Sequence, residues 1–175
     1  MNINVAQLLK ETTGATREYE LSSEIDLDDK TAFVTGLLQL IRIDTGVLVK
    51  GSLKAVMPLS CSRCLEEYVH APEFDFAEEY RQTVDVETGM TIKTAVTAAE
   101  FTISDHHILD LYEGVRQNIL LTVPMKPLCN TSCRGICPVC GGNRNRRNCD
   151  CDDRQVDRRW EPLLKLRSDY KGKEK

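Results

Sequence analysis

Eight cysteines stand in four close pairs: Cys61-x2-Cys64, Cys129-x3-Cys133, Cys137-x2-Cys140 and Cys149-x-Cys151. A tetrahedral zinc site takes four ligands, and thiolates at these spacings converge on one cation, so eight thiols divide into two complete sites. The most informative run is CysProValCysGly at 137–141, followed by CysAspCys at 149–151. Pro138 stiffens that turn, and Gly141 and Gly142 let the backbone fold so that amide N–H groups point at sulfur. It reads as a zinc-ribbon half-site. A disulfide framework is the competing account. The start of the chain has no basic stretch, long apolar run or small-residue cleavage site, so no export signal is expected and disulfides are disfavoured in a reducing compartment.

Cys61-x2-Cys64 is also the spacing of dithiol oxidoreductases, which activate a thiol at a helix N-terminus. Here the pair follows an alternating, strand-like segment and precedes another, which favours ligation and leaves redox chemistry at Cys61 and Cys64 as an alternative. Two partitions of the thiols are open. The first joins Cys61 and Cys64 to Cys129 and Cys133, and keeps Cys137, Cys140, Cys149 and Cys151 together; the second groups 129, 133, 137 and 140. The first is preferred because it leaves the ribbon half-sites intact.

At 175 residues the chain is one ordinary domain with an appendage, and no stretch approaches the ~18–20 apolar residues of a membrane span. A cytoplasmic protein is expected. The net charge of −4 hides an asymmetry: residues 1–125 hold 10 Lys+Arg against 20 Asp+Glu, a net −10, whereas residues 126–175 hold 13 against 7, a net +6. Arg144, Arg146 and Arg147 lie in the loop before Cys149. With Arg134, Arg154, Arg158 and Arg159 they form a candidate phosphate-facing surface, because guanidinium groups present bidentate donors. Pairing of Arg158 and Arg159 with Asp152, Asp153 or Asp157 on a solvated loop is the plainer alternative.

Upstream the pattern is β. Val47, Val49, Leu53, Ala55 and Met57 alternate onto one face of a strand, residues 32–43 supply its partner, and AspThrGly at 44–46 makes the turn of a long hairpin. Phe74, Phe76 and Tyr80 alternate with acids in a third strand. The first residues read as a strand entering a short helix, with a further strand near Arg17–Asp26, and residues 82–104 as a long excursion ending in a strand at Phe101–Ile103. Ser104 or Asp105 is expected to cap the main helix, near 105–121, whose apolar face is Ile108, Leu111, Tyr112, Val115 and Ile119. Pro124 stops it. The expected organisation is a β-rich body over 1–125, a cysteine-rich zinc module over 126–160 docked on it, and a polar tail over 161–175.

Apart from the Cys61–Cys64 dithiol, enzyme machinery is mostly missing from the sequence. No Gly-rich phosphate loop, Gly-x-Ser-x-Gly elbow or His-Glu-x-x-His helix occurs, and the three histidines, His70, His106 and His107, read as surface or capping residues. A four-thiolate zinc site is closed, so its metal is expected to be structural. No small-molecule substrate is expected.

The order of these features resembles the bacterial YceD family, the large ribosomal RNA subunit accumulation proteins. The residues that carry the resemblance are CysSerArgCys at 61–64, the acidic strand after it, a helix ending in LeuLeuThrValPro, and LeuCys-x3-Cys-x-Gly-x-CysProValCysGly with CysAspCys, over about Leu37 to Pro162. The resemblance implies a non-enzymatic factor in ribosome biogenesis, acting with large-subunit ribosomal RNA or a ribosomal protein. Family members that lose the CysProValCys and CysAspCys pairs keep a Cys or His near the positions of Cys129 and Cys133, which implies the first partition. The fold expected is α+β: an antiparallel, partly barrel-like sheet closed by one main helix, with a C-terminal zinc module. An acidic adapter that captures a basic ribosomal protein is the second functional reading, and a thiol oxidoreductase the third.

Overall fold

The computed structural model describes residues 1–92 and 101–151, together with Arg159 and Leu163. Two compact units divide the chain: Met1–Cys61 with Glu66–Cys129, and Ser62–Leu65 with Asn130–Lys175. The first unit is built on three long strands, β2 (Thr16–Leu27), β3 (Lys30–Ile43) and β4 (Gly46–Ser60). Before them lie β1 (Asn2–Asn4) and the short helix α1 (Ala6–Lys10); after them come β5 (Glu67–His70), β6 (Glu73–Gln82), β7 (Phe101–Ile103), β8 (Ile108–Asp110) and helix α2 (Tyr112–Thr122). The sheet runs β1-β8-β7-β6-β4-β3-β2, with β5 paired to the far half of β4.

Strict alternation explains the register. Val47, Val49, Leu53, Ala55 and Met57 are all buried, as the period of two requires. They meet Ala32, Val34, Leu38 and Leu40 of β3, and Leu21 and Ile25 of β2, in one core. Phe76 and Tyr80 of β6 extend it, and the Tyr80 ring stacks on Phe101 at 5.3 Å. Mid-strand glycines let the central strands approach closely: a Cβ on Gly36 would fall 2.3 Å from the Ser52 carbonyl oxygen, and one on Gly51 would fall 2.1 Å from that of Leu37. Such positions mark where a sheet bends.

The sheet curls, but its end strands β1 and β2 do not pair with each other, so it is a half-barrel. It is also mixed where an antiparallel sheet was expected, because β6 and β7 pair in parallel through Tyr80↔Phe101 to Gln82↔Ile103. Helix α2 packs against β2 and β6. Gly114 brings its backbone close over the Tyr80 ring, where a Cβ would lie 2.7 Å from the hydroxyl.

The helix begins later than the sequence pattern suggests. Ser104 closes a hairpin in place of capping: its Oγ and carbonyl oxygen accept the amides of Ile108 and His107, and its own amide donates to the Ile108 carbonyl. His107 takes a left-handed φ of 58° in this turn. Ile108–Asp110 therefore form a strand that pairs with Asn2–Asn4, and Asp110 Oδ1 accepts the Tyr112 amide at the true helix start. Ile108 and Leu111 satisfy a helical spacing as well as a strand followed by a turn, and the strand partner lies a hundred residues away in sequence.

Candidate metal centres

Three of the four cysteine pairs sit on turns made by their own neighbours. Cys61 follows the last residue of β4, and the paired ends Ser60↔Glu67 bring the chain back after six residues. The Cys61 amide donates to the Glu66 carbonyl at 2.9 Å, and Leu65 takes a left-handed φ of 61°. In the second turn Asn130 Oδ1 accepts both the amide and the hydroxyl of Ser132, while the Cys133 amide donates to the Asn130 carbonyl. The third turn is closed twice, by Cys137 N–H to the Gly142 carbonyl and by Gly141 N–H to the Cys137 carbonyl, each 2.8 Å. An isolated antiparallel bridge, Ile136↔Asn143, flanks it, as in a short ribbon.

These turns gather the eight thiols into two groups. Cys61, Cys64, Cys129 and Cys133 have all four sulfurs within 4.8 Å of one another, and so do Cys137, Cys140, Cys149 and Cys151. All eight are free thiols. A disulfide would hold two sulfurs at about 2.05 Å. A tetrahedral zinc with Zn–S of about 2.3 Å sets sulfurs about 3.8 Å apart, which the spacing of both groups accommodates. Cys61, Cys64, Cys133 and Cys137 are buried, whereas Cys129 and Cys140 are exposed.

Hydrogen bonds to sulfur add to the fit. The Cys137 thiol is lowered to about 6, first by the backbone N–H of Cys140 and then by that of Val139. Cys151 is pushed up to about 12, first because it shares a hydrogen bond with the Cys140 sulfur and then by burial. Four thiols this close cannot all ionise without a compensating cation, and their pKa values spread apart. Asn145 Nδ2 donates to Cys133 Sγ at 3.2 Å, while Asn145 Oδ1 accepts the Arg134 amide at 2.8 Å. Arg144 Nη2 lies 3.7 Å from Cys137 Sγ. Adjacent residues thus touch one sulfur of each group.

Arg63 and Asn145 carry no signal in the spacing of the cysteines, and the sequence reading missed both. Within the second unit, Arg63 Nη1 donates to the Cys133 carbonyl at 2.8 Å and the Arg63 carbonyl accepts the Ile136 amide at 3.0 Å. Gly135 makes this approach feasible: its φ is 75°, and a Cβ there would stand 3.0 Å from the Arg63 carbonyl oxygen. Gly135→Ala is expected to destabilise the second unit by about 1–2 kcal/mol, the cost of a left-handed L-residue. Thermal unfolding of the metal-loaded protein checks this, and an unchanged transition for residues 130–151 would contradict it.

The arginines singled out in the sequence divide among different environments. Arg134 Nη1 donates to Asn148 Oδ1 at 2.9 Å, and with Arg144, Asn148 and Cys149 it lines a cleft of about 360 Å³. The Arg147 guanidinium packs over Gly142. Arg159 is exposed. Arg154 and Arg158 lie outside the described residues, as does most of the polar tail. Among the described residues no helix is long and apolar enough to cross a membrane.

The family model for "Large ribosomal RNA subunit accumulation protein YceD" matches residues 49–167. Over 66 residues the chain is 33% identical to the Arabidopsis thaliana protein named large ribosomal RNA subunit accumulation protein YCED homolog 1, chloroplastic, a match covering 38% of this chain and 21% of that protein. It is 25% identical over 147 residues to uncharacterized proteins of Mycobacterium tuberculosis and Mycobacterium bovis, covering 79% of this chain and 64% of theirs. The chain therefore spans less than two thirds of the length of these relatives. No solved structure matches it. With a family model spanning more than half its length, from near the start of β4 through both cysteine groups, the chain belongs to the YceD family.

Proposed function

We propose that this chain is a non-enzymatic, cytoplasmic ribosome-biogenesis factor that supports accumulation of large-subunit ribosomal RNA and is held in its active form by two structural zinc ions. The observation that carries the reading is the gathering of eight free thiols into two sets of four, in a chain of the YceD family. Cys61, Cys64, Cys129 and Cys133 would hold one ion, and Cys137, Cys140, Cys149 and Cys151 the other. Bound zinc would offset about half of the thiolate charge and tie the turns together; with four sulfurs the coordination is closed. The protein's own part is to aim the sulfurs, through the N–H groups of Val139, Cys140, Asn145 and Arg144.

Two features argue against dithiol redox chemistry at Cys61 and Cys64. Both are buried, and both share their surroundings with two further thiols suited to ligation. For RNA contact we propose the arginine-lined surface of residues 134–147, with Arg158 and Arg159 as further candidates. Arg134 and Arg144 at the cleft give it cationic walls.

Arg144 faces a ligand sulfur, so the informative variant leaves it in place and changes Arg146→Gln and Arg147→Gln together. Filter binding of a large-subunit ribosomal RNA fragment across a salt series is expected to show weaker binding, with the log–log salt slope reduced in magnitude by about 1.4–1.8, at about 0.7–0.9 per phosphate contact. Zinc content should not change. An unaltered slope with unaltered affinity would contradict RNA binding through this loop.

A further inference from the structure

The outer face of the sheet carries charge and apolar surface in an ordered pattern. Alternation that buries Leu21, Val34 and Leu53 turns the intervening residues outward. In register across the strands, Glu24 of β2 meets Phe33 of β3, which meets Val56 of β4. Two lines further along, past the row of Ser22, Thr35, Lys54 and Glu73, Glu20 meets Leu37, which meets Ser52, which meets Asp75 of β6. Acids of β2 and β6 therefore flank a central strip whose apolar members are Phe33, Val56 and Leu37, with Thr35 and Lys54 between them. That strip is open: Leu37 is 64% exposed, Phe33 46% and Val56 37%. Beside Leu37 a shallow depression of about 240 Å³ is lined by Glu18, Leu38, Gln39, Lys50 and Gly51.

The charge on this face is only partly compensated within the chain. Glu73 pairs with Lys54 at 3.3 Å and Glu79 with Arg81 at 3.4 Å. Among the described residues no ion pair reaches Glu18, Glu20, Glu24 or Asp75. An apolar centre with a polar rim is the anatomy of a protein interface, and a rim of one sign selects a partner of the other. Phosphate backbones and anionic lipid surfaces are repelled by such a rim.

We propose that the outer face of β2, β3, β4 and β6 docks a basic protein segment, whose Lys or Arg side chains meet the acids of β2 and β6 and whose apolar side chain occupies the depression beside Leu37. This surface belongs to the first unit and its variants leave the arginines of the second untouched, so it stands or falls apart from the proposed RNA contact. The probe is a fluorescent 12-residue peptide with Lys at alternate positions and two central Leu residues, titrated by anisotropy at low salt with the zinc-loaded full chain. Two variant peptides accompany it, one with Ser in place of Leu and one with Glu in place of Lys.

Binding of the parent peptide is expected, with a loss of about tenfold or more for Leu37→Asp and for the combined Glu18→Gln, Glu20→Gln and Glu24→Gln chain. Both variant peptides should weaken by a similar factor. Leu37 is solvent-exposed, so its variant should retain the fold, checked by circular dichroism and zinc content; the Gln variant supplies the test if it does not. Amide shifts on peptide addition should fall on β2, β3 and β4. Equal binding of the Ser peptide, or no effect of either chain variant, would overturn the proposal. So would competition by a ribosomal RNA fragment that Leu37→Asp relieves, or a dimer in sedimentation that the same change abolishes.

Discussion

Chelating the metal from reduced protein is expected to unfold residues 130–151 while the β3–β4 hairpin stays folded. Within 130–151 the buried hydrophobic side chains are Cys133 and Cys137, both proposed ligands, so this stretch has almost no apolar core of its own. Its hydrogen bonds are turn closures, a single isolated bridge, and a few contacts made by Arg63, Arg134 and Asn145. Structural zinc contributes apparent folding free energy on the order of 10 kcal/mol in small metal-dependent modules, and few other contributions here approach that size. The hairpin instead buries Val34, Leu38, Val49 and Leu53 in a continuous core. Hydrogen exchange should show the amides of Ile136, Cys137, Gly141 and Arg144 losing protection after chelation, with those of β3 and β4 changing little. Equal loss in both regions, or none in either, would contradict this division.

The second large effect concerns which thiols act together. Cys61→Ser and Cys133→Ser should each release one ion and the same ion, because those sulfurs belong to one group of four. Cys140→Ser and Cys151→Ser should release the other. Removing one ligand opens a closed tetrahedral site and leaves three thiolates around the cation. Each single variant is expected to fall from two bound zinc ions to one, and a Cys133→Ser/Cys140→Ser double variant to none. Loss of a single ion from that double variant would mean that residues 133 and 140 serve the same centre, which is the other partition.

Much of the β architecture is legible in the chain because burial there has a period of two. The odd positions from Val47 to Met57 announce an inward face, and AspThrGly at 44–46 marks the hairpin turn. The parallel pairing of β6 with β7 has no local signature, since it depends on where the chain returns after a long excursion. The same holds for Ile108–Asp110, whose strand character comes from Asn2–Asn4 at the opposite end of the sequence. Spacing also points to two sites of four thiols, while leaving two partitions between them open. What it does not reveal is their support: Asn145 lies twelve residues beyond Cys133, and Arg63, within the first turn, bonds to the Cys133 carbonyl seventy residues on. Arg144, a candidate phosphate contact by composition, also stands beside a sulfur in space, which its sequence context does not reveal.

Whether the chain holds two closed four-thiolate centres is decided by the metal content of purified, reduced, unmutated protein. Elemental analysis against an accurate protein concentration, paired with mass spectrometry under non-denaturing conditions, is predicted to give two zinc ions per chain and eight thiols that react only after chelation. One ion or none, or cysteines recovered as disulfides, would contradict it.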